Sequence, residues 1–226
     1  MHAVDYSPHH GSHSANSPRR RYRIGQDTAT HKVLFAWFDM AKSTRRLIVE
    51  KPSEARLLYL LLWSDLAFFL SWTLKAVVVP NQAGLSLVSV EIGVLFFVAI
   101  VVRTGALYIF AMVAGAIARI LGGRGTWRNT RIAVFWGAYV TAPFGVIAAL
   151  FSVLFVSLEA SFPIFAAPWI SQPPYYLGLL PFIWYISAGI AKAHGFEKTS
   201  PVFLALSVVS LVALLGGMYF HARGMI

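Results

Sequence analysis

The chain has 226 residues, 58% hydrophobic and only 12% charged, about half the charge usual in a soluble domain. A soluble core cannot hide this much apolar surface, so lipid is the expected solvent. The 19 Lys+Arg against 9 Asp+Glu, a formal +10, then point to anionic headgroups and away from nucleic acid. Cysteine is absent, which removes a disulfide framework, a thiolate metal site and a cysteine nucleophile.

Residues 1–29 (MHAVDYSPHHGSHSANSPRRRYRIGQDTA) have almost nothing to bury and read as a disordered tail. No apolar stretch precedes their basic cluster, so they do not form a secretory signal. His9, His10 and His13 are metal-ligand types, but no carboxylate cluster completes a site, and no metal is expected. Residues 30–51 predict one amphipathic helix. Thr30 stands as its N-cap, Val33, Trp37, Met40 and Leu47 share a face, and Asp39, Lys42, Arg45 and Arg46 gather elsewhere. Such a helix is expected to lie in the headgroup plane, with docking onto the protein's own helices as the competing reading. Pro52 ends it.

From residue 53 to 222 the pattern predicts five spans, each needing about 20 residues. The first covers about 57–79 and closes at Pro80-Asn81-Gln82. The second, 87–121, stops at Gly122-Gly123 and is long enough to tilt, extend, or break near Thr104-Gly105. The third covers 132–158, and the fourth covers 174–194 between a Pro-Pro pair and Gly195. The fifth, 201–220, has Ser200 as N-cap and Pro201 at its first helical position. The expected fold is therefore an all-α integral membrane protein, a bundle of five transmembrane helices preceded by an amphipathic interfacial helix. Lys+Arg counts in the N-terminal segment to Arg56, the links 80–87, 119–131, 159–173 and 192–200, and the C-terminal tail run 10, 0, 4, 0, 2, 1, which puts the N-terminus in the cytosol and the C-terminus outside. Trp127 marks the inner interface, and Trp169, Tyr175 and Tyr176 the outer one.

Asp65, Lys75, Glu91 and Arg103 fall inside spans, where an isolated charge costs a few kcal/mol or more. A rise of about 1.5 Å per residue along two antiparallel spans sets Asp65 against Arg103 and Lys75 against Glu91. Structural pairing is preferred to an ion path through Asp65, because transport sites gather several polar groups at the midplane and spans four and five offer no carboxylate there. Pro143 withholds a donor from the Tyr139 carbonyl and is expected to kink span three, as Pro181 is to kink span four. Gly137 and Gly145 flank the bend and leave room for another helix.

The link GGRGTWR (122–128) follows a helix and lacks the GxxxxGK[ST] pattern, so no nucleotide loop is expected. Gly122 and Gly123 read as helix C-caps, and Arg119, Arg124, Arg128 and Arg131 as contacts to anionic lipid. His194 ends span four and His221 ends span five on the opposite side of the bilayer, so they cannot share a haem. With no Ser/His/Asp grouping, no HExxH and no suitable carboxylate pair, neither enzyme activity nor a cofactor is expected.

The tail, five spans, Gly-Gly basic link and A-Y-x-x-x-P in span three together resemble the Yip (Ypt/Rab-interacting protein) domain family, particularly its bacterial branch. The matching residues are Gly122, Gly123, Gly125, Ala138, Tyr139 and Pro143, then Trp184, Gly189, His194 and Ser200 in FIWYISAGIAKAHGFEKTSP. The resemblance covers roughly 50–220. It implies a five-helix membrane protein with a cytosolic N-terminus, whose eukaryotic members are linked to Rab-type GTPases. The Asp-Leu-Tyr-Gly-Pro motif of those members is missing here, so Rab binding is not carried over. The expected function is a non-enzymatic, multi-pass protein of the bacterial inner membrane that organises or binds partners. The alternatives are a small transporter or channel-like protein using Asp65 and Arg103, and an accessory subunit of a membrane energy-conversion complex. Expected partners are a bilayer with anionic cytosolic headgroups and a membrane protein or second copy, with no nucleic acid.

Overall fold

A computed structural model describes residues 29–78, 89–159, 161–167, 170 and 173–223. Residues 1–28 of the tail, the link 80–87 and Trp169 lie outside the described residues, as do the side chains of Lys75, Glu91, Tyr175, Tyr176 and His221. Among the described residues there are helices and no strand: α1 Ala29–Phe38, α2 Met40–Glu50, α3 Glu54–Val78, α4 Ser89–Ile120, α5 Trp127–Glu159, α6 Pro173–His194 and α7 Ser200–Ala222. A short 3-10 turn covers Pro163–Ala166. Three stretches, Glu54–Leu74, Gly93–Ile120 and Trp127–Glu159, are long and apolar enough to cross a membrane.

Local capping explains several boundaries. The Ser53 hydroxyl accepts from Arg56 N at 3.3 Å, so α3 starts at Glu54, ahead of the predicted 57. The Thr126 hydroxyl accepts from Asn129 N at 3.2 Å, which starts α5 five residues before the predicted 132. Ser200, expected as the cap of α7, lies inside it; Phe203 N donates to the Thr199 carbonyl at 2.9 Å. The 32 residues of α4 run unbroken through Thr104-Gly105. At 1.5 Å per residue α4 and α5 are each about 50 Å long, well beyond a hydrocarbon core of about 30 Å.

The amphipathic segment departs most from expectation. It is two helices, and Thr30 lies inside the first. Asp39 takes a non-helical conformation (φ −145°, ψ 78°), and its carboxylate accepts from Lys42 N at 2.9 Å, capping α2. A short acidic side chain competes for backbone N–H groups, so an Asp inside an apparent helix can restart it. The two arms fold back on each other. The Arg46 guanidinium stands 4.5 Å from the Phe35 ring, and Lys32 reaches Glu50 at 3.8 Å. Lys51, left-handed at φ 47°, ends α2 ahead of Pro52.

The buried face of this hairpin, Ala36, Met40, Ser43, Thr44 and Leu47, lies on the protein's own helices. Trp37 Nε1 donates to the Val140 carbonyl at 2.8 Å, the Tyr185 hydroxyl donates to the Trp37 carbonyl at 2.9 Å, and Trp136 Nε1 donates to the Ser43 hydroxyl at 3.0 Å. Val140 is thirteen residues beyond Trp127, about 20 Å along α5. The hairpin therefore stands alongside α5 and α6 with its tip well up the bundle, which replaces the reading of one helix flat in the headgroup plane. Phe38, at the tip, is 91% exposed. Trp37→Phe removes the indole hydrogen bond to the Val140 carbonyl and is expected to cost about 0.5–1.5 kcal/mol. A lower unfolding midpoint in detergent, with faster proteolysis between 29 and 51, is the expected result.

Residue pairs fix the packing directions. Ser64 meets Ala138 and Glu54 meets Arg131, so α3 and α5 run parallel. Phe69 meets Phe96, Tyr108 meets Phe135, and Thr130 meets His194, so α4 and α6 run the other way. Trp184 against Phe203 sets α7 antiparallel to α6. One end of the bundle thus collects the start of α3, the end of α4, the start of α5 and the α6–α7 turn. It carries Arg56, Arg119, Arg124, Arg128, Arg131, Lys192 and Lys198, and is called the basic end below.

α5 stays helical through Pro143 and α6 through Pro181. In an apolar surrounding, backbone carbonyls near such a proline need other donors. Pro143 leaves the Tyr139 carbonyl without an N–H, and side chains add hydrogen bonds to the carbonyls beside it: Thr141 donates to Gly137 at 2.8 Å, Ser64 to Ala138 at 3.1 Å, and Trp37 to Val140. α6 packs over this stretch. A Cβ on Gly137 would stand 2.6 Å from Ile186, and one on Gly178 3.7 Å from the Gly145 Cα.

Candidate functional site

Two buried clusters hold the chemically distinctive residues. The first lies midway along α3 and α4. Asp65 is 1% exposed, and one carboxylate oxygen is ion-paired with the Arg103 guanidinium. The other accepts from the Thr104 hydroxyl at 2.7 Å. Arg103 also donates to the Ser64 hydroxyl at 3.1 Å, and Ser64 passes its own hydrogen to the Ala138 carbonyl. The guanidinium carbon lies 4.8 Å from the centre of the Phe68 ring. Charge, two hydroxyls and a backbone carbonyl thus form one chain of hydrogen bonds from α4 through α3 to α5. An intramembrane carboxylate without such partners would cost several kcal/mol. The structure brings Asp65 and Arg103 together. Ser64 and Thr104 complete the cluster; the sequence reading passes over Ser64 and takes Thr104 only as a possible helix break, although each adjoins a charged residue inside an apolar run.

The second cluster closes the basic end. Gly122 (φ 92°) and Gly195 (φ 81°) end α4 and α6 in left-handed conformations that side chains disfavour. Each closes a paired-bond turn. Gly122 N donates to Arg119 O at 2.9 Å and Gly123 N to Ala118 O at 2.8 Å; Gly195 N donates to Lys192 O at 3.3 Å and Phe196 N to Ala191 O at 2.9 Å. The two turns meet, because Arg124 N donates to the His194 carbonyl at 3.0 Å. The His194 ring is 3% exposed and lies against both neighbouring glycines. A Cβ on Gly123 would stand 2.8 Å from the Ala118 carbonyl and the His194 Cβ, and one on Gly125 2.5 Å from the Ala193 carbonyl.

His194 Nε2 lies 2.8 Å from the Thr130 hydroxyl, and that hydroxyl donates to the Thr126 carbonyl at 3.2 Å. The assignment satisfying both contacts has Nε2 carrying hydrogen and Nδ1 as a buried acceptor; Nδ1 has no partner among the described residues. Gly122, Gly123, Gly125 and His194, far apart in sequence, thus form one junction. Gly189 lets α2 approach α6: a Cβ there would stand 3.2 Å from the Thr44 hydroxyl. Tyr139 lies 5.7 Å from the Trp136 ring, centre to centre. Half-exposed Trp184 meets Phe203 edge-on at 5.3 Å.

Three of the four arginines read as lipid contacts have partners within the fold. Arg128 donates to the Pro52 carbonyl at 2.8 Å, Arg131 to Glu54 at 3.1 Å, and Arg119 stacks at 4.0 Å on Trp127. Arg124 is exposed. Among the described residues no group of His, Asp and Glu has the arrangement of a metal site.

Apolar helices of membrane-crossing length, joined through a buried ion pair, define a helical membrane protein. The chain belongs to the Yip1 domain family, whose model matches residues 36–220. No curated protein and no solved structure matches it. The family match begins in α1, so the hairpin tip and α2 belong to the domain, ahead of the roughly 50–220 carried by the sequence motifs.

Proposed function

We propose that this protein is a non-enzymatic, five-span member of the bacterial inner membrane. In this reading α3 to α7 all cross the bilayer, the N-terminus and basic end face the cytosol, and the C-terminus faces the periplasm. Its task is to organise or bind other membrane components through the outer surfaces of the bundle and the basic end. The observation that carries this reading is where the buried polar chemistry goes. Asp65, Arg103, Ser64 and Thr104 are bonded to one another, and the His194 junction ties two helix ends together. Exposed Arg45, Arg124, Lys192 and Lys198 remain available to headgroups or an acidic partner.

The orientation has a direct test, because the chain has no cysteine. Ser161→Cys, in the α5–α6 connection, is expected to react with an impermeant maleimide in intact spheroplasts. Arg124→Cys is expected to react only after lysis. The opposite pattern would invert the topology. For the binding role, purification in mild detergent should yield a stoichiometric membrane-protein partner or a homo-oligomer. A monomer that supports ion flux in liposomes would contradict it.

A further inference from the structure

An open cleft of about 480 Å³ lies between α4 and α5 at the basic end, lined by Tyr108, Ile109, Ala111, Met112, Trp127 and Arg131. Farther along, Gly115 leaves room for the Trp127 ring, since a Cβ there would stand 2.9 Å from it. Both walls belong to helices apolar and long enough to cross a membrane, so the surface around the cleft is expected to face acyl chains.

The cleft changes character along its length. The Tyr108–Met112 part is hydrocarbon and aromatic, whereas Arg131 supplies a guanidinium at the basic end. Arg119 brings a second one, stacked on the lining Trp127. Among the described residues the one acidic partner of these two arginines is Glu54, 3.1 Å from Arg131 and itself half-exposed. Two cations against one carboxylate leave a net positive charge where the inner-leaflet phosphates would lie.

We propose that this cleft binds one anionic glycerophospholipid of the cytosolic leaflet. An acyl chain lies along Ile109, Ala111 and Met112, and the phosphate sits on Arg131 with Arg119 beside it. An arginine fork matches a phosphate with paired charge-assisted bonds, and an anionic headgroup adds no cation to oppose it. This inference rests on the membrane reading above and, of the four arginines the sequence offers to lipid, assigns a specific site to Arg119 and Arg131.

The test is native mass spectrometry of the full chain in mild detergent, titrated with dioleoyl phosphatidylglycerol or dioleoyl phosphatidylcholine. One saturable phosphatidylglycerol per chain is expected, with phosphatidylcholine about tenfold weaker. Arg131→Gln should abolish that preference. Met112→Trp, at an exposed lining position, should fill the apolar part and weaken both lipids. Arg124→Gln, outside the cleft, should bind as the unaltered chain does. If Arg131→Gln fails to fold because Glu54 loses its partner, Glu54→Gln combined with Arg131→Gln removes both charges and carries the same expectation.

Equal loss from Arg124→Gln and Arg131→Gln would mean diffuse attraction and overturn the site. Unchanged binding by Met112→Trp, or equal affinity for the two lipids, would overturn it as well. A chain recovered from the soluble fraction would overturn the membrane reading itself. A chain that stays in the membrane fraction but shows no lipid preference overturns the cleft alone.

Discussion

Asp65→Leu is expected to lower stability by about 3–5 kcal/mol, because it leaves the Arg103 guanidinium largely buried without its counter-charge. The fall should appear as a lower unfolding midpoint in detergent and a smaller yield of monodisperse protein. Asp65→Leu combined with Arg103→Met should recover most of the loss. Apolar residues of similar volume often replace a buried ion pair at little cost, and the freed Thr104 hydroxyl can turn back to its own helix. A double variant no more stable than the single one would contradict the pairing account. The same double variant separates packing from transport: flux in the unaltered chain that vanishes from this well-folded form would give Asp65 a role in moving ions.

The second large effect is expected at Gly125. Its hypothetical Cβ meets the Ala193 carbonyl at 2.5 Å and the His194 ring at 2.8 Å. A backbone carbonyl cannot rotate away as a side chain end can, so Gly125→Ala should cost about 1–3 kcal/mol through forced separation of the two helix ends. Gly105→Ala provides the contrast, because nothing lies within 4 Å of a Cβ there. It should be neutral or stabilising by about 0.5–1 kcal/mol through helix propensity. Equal unfolding midpoints for the two variants would show that the junction is not closely packed.

The mid-helix charge pair was legible because an α-helix converts residue number into height, and two antiparallel helices then share one ruler. Asp65 and Arg103 needed only that arithmetic. The Ser64 and Thr104 hydroxyls escaped it because polar residues in lipid-facing helices commonly bond to their own backbone, as Ser71 does to Ala67 at 2.7 Å. The break at Asp39 was hidden for a different reason. In a 3.6-residue pattern an Asp on the polar face looks ordinary, and only its reach to Lys42 N marks it as a cap.

The Gly–His junction could not be derived from spacing. Gly125 lies on the α4–α5 link and His194 at the end of α6, and no local rule brings two helix C-termini together. Family resemblance pointed to these residues without saying that they touch. Boundaries at Thr126 and Ser53 shifted for a plainer reason: hydropathy reports where the apolar stretch begins, whereas a capping hydroxyl starts the helix among the polar residues before it.

The contacts of the N-terminal hairpin also bear on how the chain is made. Trp37 finds its partners in Val140 and Tyr185, and the hydrogen bond with Tyr185 joins residues 148 apart. A ribosome adding roughly 5–20 residues per second needs about 7–30 s to supply that last partner. During this interval α1 and α2 have emerged while the surface they cover does not yet exist. The first part of the domain to be synthesised is thus among the last to dock, and its seating requires α5 and α6 to be already side by side.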